Sequence, residues 1–188
     1  MNRKTVAPRR HPLPEDIRDR LYSPERDQWQ DHPHYLISNA RALQRTPRNL
    51  KRQARQYHGA LPHLLELSET ERNTQANRQL LTTIGNHGKS LLKNLHSHHG
   101  FEDSSVFPVL RQYHPRLAAG FDVLEKDHLA LDALLDDIEQ QLVEFPSLAT
   151  NPWKVENTHR QAAGLEALLH RHMDDEEDII VPIYLLYM

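Results

Sequence analysis

The chain has no cysteine among its 188 residues, which excludes disulfides, thiolate metal sites and thiol nucleophiles. Glycine is scarce, with six in the whole chain. Leu, Ala, Glu and Gln are common instead, a balance that favours helices. No apolar run approaches the roughly 18 residues that would span a bilayer. The basic N-terminal residues precede no apolar segment of a secretory signal. A cytoplasmic protein with no membrane partner is the expectation. Charge of one sign is also lacking: 23 basic residues face 26 acidic ones, a net charge of −3 with histidine neutral. That leaves no nucleic-acid footprint. What the sequence does have is histidine, 14 of them, scattered with no oligo-His run that would mark a tag. Histidine is the commonest metal ligand.

Residues 1–46 read as an N-terminal arm. Pro8, Pro12, Pro14, Pro24 and Pro33 interrupt any long periodicity. A short helix is expected over Tyr35 to Leu43, with Trp29, Tyr35, Leu36 and Ile37 docking the arm onto the rest.

Residues 47–188 read as one all-α domain, an up-down four-helix bundle. Thr46 before Pro47 is a helix start, with a hydroxyl at the cap and proline in the first turn. The first helix is expected from Pro47 to about Leu67, kinked at Pro62. A polar loop from Ser68 to Thr74 leads to a second helix from about Gln75 to Ser104. In the third, Phe121, Leu124, His128, Leu131, Leu135, Ile138 and Leu142 share one face. Phe145 and Pro146 end it, and the loop 146–152 leads to a fourth helix from about Trp153 to Ile180.

Two segments repeat one pattern: His98-x-x-x-Glu102 with Pro108 six residues on, and His172-x-x-x-Glu176 with Pro182 six residues on. A chain of this composition yields about 0.06 such matches by chance. Residues four apart lie one above the other on a helix, so each pair can reach one metal, or two if the carboxylate bridges. Both pairs continue the apolar face of their helix. A glutamate there costs several kcal/mol unless it is paired or coordinated. Single histidines, His58 and His128, sit on the inward faces of the first and third helices. His99 and Asp103 repeat the four-residue spacing one step round the helix and read as second-shell or surface groups. The run Asp174, Asp175, Glu177 and Asp178 reads as a solvated face, with Glu177 able to draw cations inward. Tyr57 and Tyr184 are possible hydrogen-bond donors to a bound ligand, although core packing is the better reading.

These segments resemble the signatures of the hemerythrin-like HHE cation-binding family. They are L-x-x-H-H-x-x-E-D-x-x-x-F-P over Leu95 to Pro108 and H-x-x-x-E-E-x-x-I-x-P over His172 to Pro182. The Asp127-His128 pair falls where that family has its third-helix ligand. The resemblance covers roughly residues 47–185. It implies a bundle around two iron ions bridged by glutamate, with dioxygen, peroxide or nitric oxide as small ligands. The implied metal ligands are His58, His98, Glu102, His128, His172 and Glu176. His58 is assigned by spacing and face, with His63 as its competitor. His99, Asp103, Glu177 and Tyr57 are the possible second shell. Imidazole and carboxylate donors without thiolate also suit manganese or zinc.

The oxygen carriers of the family have a second histidine five residues after the third-helix ligand, where this chain has Ala133. The resulting four-His, two-Glu set resembles the branch of the iron-centre repair proteins, without their cysteine-bearing module. The missing donor leaves open coordination positions. Two readings stay open at this point: a protein that binds or senses a diatomic gas, and an enzyme that activates oxygen or peroxide or reduces nitric oxide. A third is an iron-handling or structural metal module.

Overall fold

The computed structural model describes Arg9, residues 11–143 and residues 151–187. Among them there is no strand. The helices are α1 (Glu15–Arg18), α2 (Ala40–Leu43), α3 (Arg45–Gly59), α4 (Pro62–Glu66), α5 (Glu69–Arg72), α6 (Gln75–Phe101), α7 (Phe107–Tyr113), α8 (Ala118–Val143) and α9 (Pro152–Tyr187). The four longest, α3, α6, α8 and α9, pack in a ring of neighbours: α3 on α6, α6 on α8, α8 on α9, and α9 back on α3. No described helix is long and apolar enough to cross a membrane.

Each neighbouring pair runs antiparallel, and particular contacts give the register. Gln53 bonds Asn94, while a Cβ built on Gly88 would lie 2.9 Å from Tyr57. Later residues of α3 therefore face earlier residues of α6. Lys51 reaches Asp174 and His58 reaches Glu166, which gives α3 and α9 the same sense. His128 meets Asp103 on one side and His172 on the other. This is an up-down bundle. The Gly88 approach is also why glycine stands mid-helix there. Its missing side chain lets α6 close on Leu142 of α8 and Tyr57 of α3.

Local chemistry sets the breaks. Pro62 does not kink a continuous helix but opens α4 at its first turn, where a missing N–H costs nothing. The stretch from Ser68 is not an open loop. Ser68 and Glu71 form a reciprocal capping box on α5, satisfying two orphan donors. The helix ending expected at Phe145 and Pro146 lies outside the described residues; α8 is described to Val143.

A wide π-turn, Glu102–Val106, joins α6 to α7, and the Phe107 N–H reaches the Glu102 carbonyl. Pro108 follows directly. In an unbroken α-helix its ring would clash with the carbonyl four residues back, and the wider turn relieves that. Ser104 Oγ donates to the Gly100 carbonyl at 2.6 Å.

The core lies in two apolar clusters. One, built on leucines such as Leu91, Leu95, Leu131, Leu135 and Leu169, fills one end of the bundle. The other joins Phe107, Phe121, Leu124 and Ile179 to Leu13 and Ile17 of the N-terminal segment. Further along that segment, Trp29 and Tyr35 pack on Val181 and Leu185. Leu36 and Ile37, expected to dock beside them, are 73% and 80% exposed. The expected helix there shrinks to α2, because Tyr35 to Ile37 form turns closed on His32 and His34 carbonyls.

The acidic run on α9 is not a solvated face. Asp175 and Glu177 are buried. Arg9 bonds Asp175 and Asp127. Arg26 bonds Glu177 and Asp178, and Lys51 takes Asp174. Arginines more than a hundred residues away thus convert a charged stripe into the seam that holds the N-terminal segment.

Candidate metal centre

Between the two apolar clusters lies a layer of polar side chains. Helix α6 supplies His98 and His99, the π-turn after it Glu102, α8 His128, and α9 His172 and Glu176. Two groups of donor atoms form there, His98 with Glu102 and Glu176, and His99 with His128 and His172. Within each group the donor atoms lie within 4.8 Å of one another.

Glu102 ties the groups together. Its Oε2 lies 3.4 Å from His98 Nε2 and 3.5 Å from His128 Nε2. Glu176 Oε2 is 3.5 Å from His98 Nε2. The Nε2 atoms of His128 and His172 are 3.0 Å apart. Donors about 2.0–2.2 Å from a shared ion, at right to tetrahedral angles, sit about 2.9–3.5 Å from each other. The observed spacings fall in or at the edge of that range.

Burial makes the arrangement costly without an ion. His172 is 0% exposed, His128 1% and His99 2%. Buried polar atoms are almost always hydrogen-bonded. Here His98 Nε2, both ring nitrogens of His99, Glu102 Oε2, His172 Nδ1 and Glu176 Oε2 have no hydrogen-bond partner. Such a concentration of unmet donor atoms in one layer is what a metal centre leaves in the protein. The residues therefore fit a metal.

Electrostatics point the same way. Burial, then repulsion from His99, His172 and His98, drives the His128 imidazole far below its ordinary pKa. Burial is also the largest cause lowering His99, to about 4. Both stay neutral, the form that ligates. Burial and the nearby Glu176 charge hold the Glu102 carboxyl well above the usual carboxylate range. For Glu176 burial opposes ionisation, but the adjacent His98 outweighs it and holds the group below that range. Two carboxylates so close need a cation to ionise together.

An outer ring orients these groups. Asp103 Oδ1 accepts from His128 Nδ1 at 2.7 Å, which turns the Nε2 lone pair inward. Burial, with Glu125 and Asp132 nearby, raises the Asp103 carboxyl to about 6. Asp127 Oδ2 stands 3.8 Å from His172 Nδ1. The His128 ring is sandwiched between His99, at 4.1 Å between centroids, and Phe107, at 5.5 Å.

Of the six residues expected as ligands, the structure brings five together: His98, Glu102, His128, His172 and Glu176. It does not bring His58. In the antiparallel register of α3 against α6 and α9, the residues facing this layer are Asn49, Leu50 and Gln53. His58 is nine residues past Asn49, about 13 Å along the helix. There it bonds Glu166 and His159. His63 is exposed on α4. Tyr57 packs at the Gly88 contact with its hydroxyl buried and unpartnered, away from this layer. Glu177 holds Arg26.

His99, expected in the second shell, instead lies in a donor group. The signal was the His98-His99 pair itself. Adjacent helical residues point about 100° apart, and α6 lies between α3 and α8. One histidine of such a pair turns to each side.

A cavity of about 320 Å³ opens on His98, Glu102 and Glu176 and is also lined by Asn39, Ala42 and Leu43. The cavity thus joins residues before α3 to the donor layer. Among known families, the model described as the hemerythrin HHE cation binding domain matches residues 49–184. No curated protein and no solved structure matches the chain.

Proposed function

The chain belongs to the hemerythrin HHE cation-binding family, and from that premise we propose that it holds two iron ions and binds or reacts with dioxygen, peroxide or nitric oxide. The observation that carries the reading is the set of unpartnered donor atoms converging in one buried layer. The ligands in this reading are His98, Glu102, His128, His172 and Glu176, with His99 in place of His58. His99 from α6 joins His128 and His172, and the set stays one imidazole short at Ala133. Glu102, within reach of both groups, is the residue that would be shared between the two ions. Manganese and zinc suit the same donors; iron is favoured by the family.

A carboxylate-bridged iron pair supplies open coordination positions and redox chemistry for a small ligand. The protein's own part is to hold imidazoles and two carboxylates at fixed distances. Asp103 fixes the His128 tautomer. Phe107 and the apolar clusters on either side keep water from His128 and His172. From the arm over residues 1–46, Asn39, Ala42 and Leu43 line the cavity beside His98, Glu102 and Glu176.

That last feature favours a second reading, an enzyme acting on a small substrate. The cavity of about 320 Å³ exceeds what a diatomic ligand needs and is lined on one side by Ile180, Tyr184 and Val106. Anaerobic iron loading followed by optical spectra with dioxygen, peroxide and nitric oxide tests both. Close to two irons per chain and a new absorption band with one of these ligands are expected. No adduct with any of the three leaves a structural metal module instead.

A further inference from the structure

Among the described residues outside the donor layer, two histidines meet through their ring nitrogens. The Nε2 atoms of His58 on α3 and His159 on α9 are 3.2 Å apart, with ring centroids at 4.8 Å. His58 Nδ1 lies 2.7 Å from Glu166 Oε2. A carboxylate at that distance accepts the Nδ1 proton and leaves Nε2 with its lone pair, the arrangement that orients metal-ligating histidines. The side chains of His58 and Glu166 are 26% and 22% exposed, so an ion and its waters can reach them.

We propose that His58 and His159 form a second, surface metal site for a divalent transition ion of the copper, nickel or zinc type. The site bridges α3 and α9 some distance along the bundle from the buried donor layer. Two imidazole nitrogens about 2.0–2.1 Å from one ion stand about 2.9–3.4 Å apart, which brackets the observed spacing. Without an ion, His159 donates its Nε2 proton to His58. When the ion binds, His159 keeps its proton on Nδ1 instead, so neither ring must become charged or move far. Water completes the coordination. His170, one turn beyond Glu166, adds a buried and unpartnered Nε2 4.0 Å from Glu166 Oε1. The Arg55 guanidinium stands 3.7 Å from the same oxygen, but its side chain is 69% exposed and water screens it.

The test uses the full chain with its iron centre loaded and oxidised, titrated with Cu²⁺ and followed by electron paramagnetic resonance. One Cu²⁺ per chain with hyperfine coupling to two imidazole nitrogens is expected. His159→Ala should bind it at least tenfold more weakly, with one nitrogen lost and the iron content unchanged. Glu166→Gln, which keeps the shape of the side chain, should weaken binding roughly 10–100-fold by freeing the His58 ring. Circular dichroism confirms that each variant folds. Absence of a two-nitrogen copper signal in the wild type overturns the proposal, as does unchanged affinity in either variant. Because iron content is counted separately, failure here is distinguishable from failure of the buried centre.

Discussion

Two pairs of histidines in this bundle meet Nε2 to Nε2, at 3.0 Å for His128 and His172 and at 3.2 Å for His58 and His159. The distances are almost the same, but the surroundings are not. The first pair is 1% and 0% exposed and shares its layer with two glutamates and His99. The second is only part-buried, and His58 bonds Glu166 as well as His159. Unmet donor atoms cost free energy only where water cannot reach them. Burial, rather than histidine spacing, therefore separates a centre that requires ions from a surface that can merely accept one.

The strongest way to break this contrast is to remove the buried carboxylates. Glu102→Ala with Glu176→Ala should drop metal content from about two ions per chain to near none, measured by mass spectrometry of the purified protein; full retention would overturn the site. Next in size, His99→Ala should cost about half of the bound iron while His58→Ala costs none. The opposite result would return His58 to the centre. Gly88→Ala probes the dry end of the bundle, where the new Cβ would meet Leu142 and Tyr57 at 2.9 Å. Overpacking of that kind costs about 1–3 kcal/mol, read as a lower urea midpoint with metal content unchanged. Arg9→Ala should remove about 1.5–3 kcal/mol, the scale of hydrogen bonds to charged groups, and admit chelators to the centre faster. The smallest effect is expected from Asp103→Asn, which keeps both ions but weakens metal affinity about tenfold, measured by competition with a chelator.

Much of the bundle was legible because its helices carry their own punctuation. The apolar stripe of α8 and the paired His-x-x-x-Glu spacings are local patterns, and both give positions on a helix face directly. His58 was misplaced because residue counts between helices ignore antiparallel register. The same count that put one histidine on each helix slid this one about 13 Å from the layer. His99 was undervalued because a helix with neighbours on two sides has two inward faces, which a single-stripe reading misses. The acidic run of α9 was unreadable for another reason: Arg9 and Arg26 answer it from over a hundred residues away, and no local periodicity carries that pairing.

The π-turn at Glu102–Val106 has a consequence for how this helix can vary. It amounts to one surplus residue lodged between two segments with different obligations. Upstream, the phase of α6 is set by His98, His99 and Glu102; downstream, Phe107 and Leu110 are 0% and 2% exposed and set the phase of α7. Deleting Ser105 would let the turn close to an ordinary α-helix with both segments still in phase, but it would bring the Pro108 ring against the carbonyl four residues back. The donors and the aromatic packing would keep their faces, and the helix would have to kink at the proline instead. Substitution is easy at this spot, whereas a change of length is not.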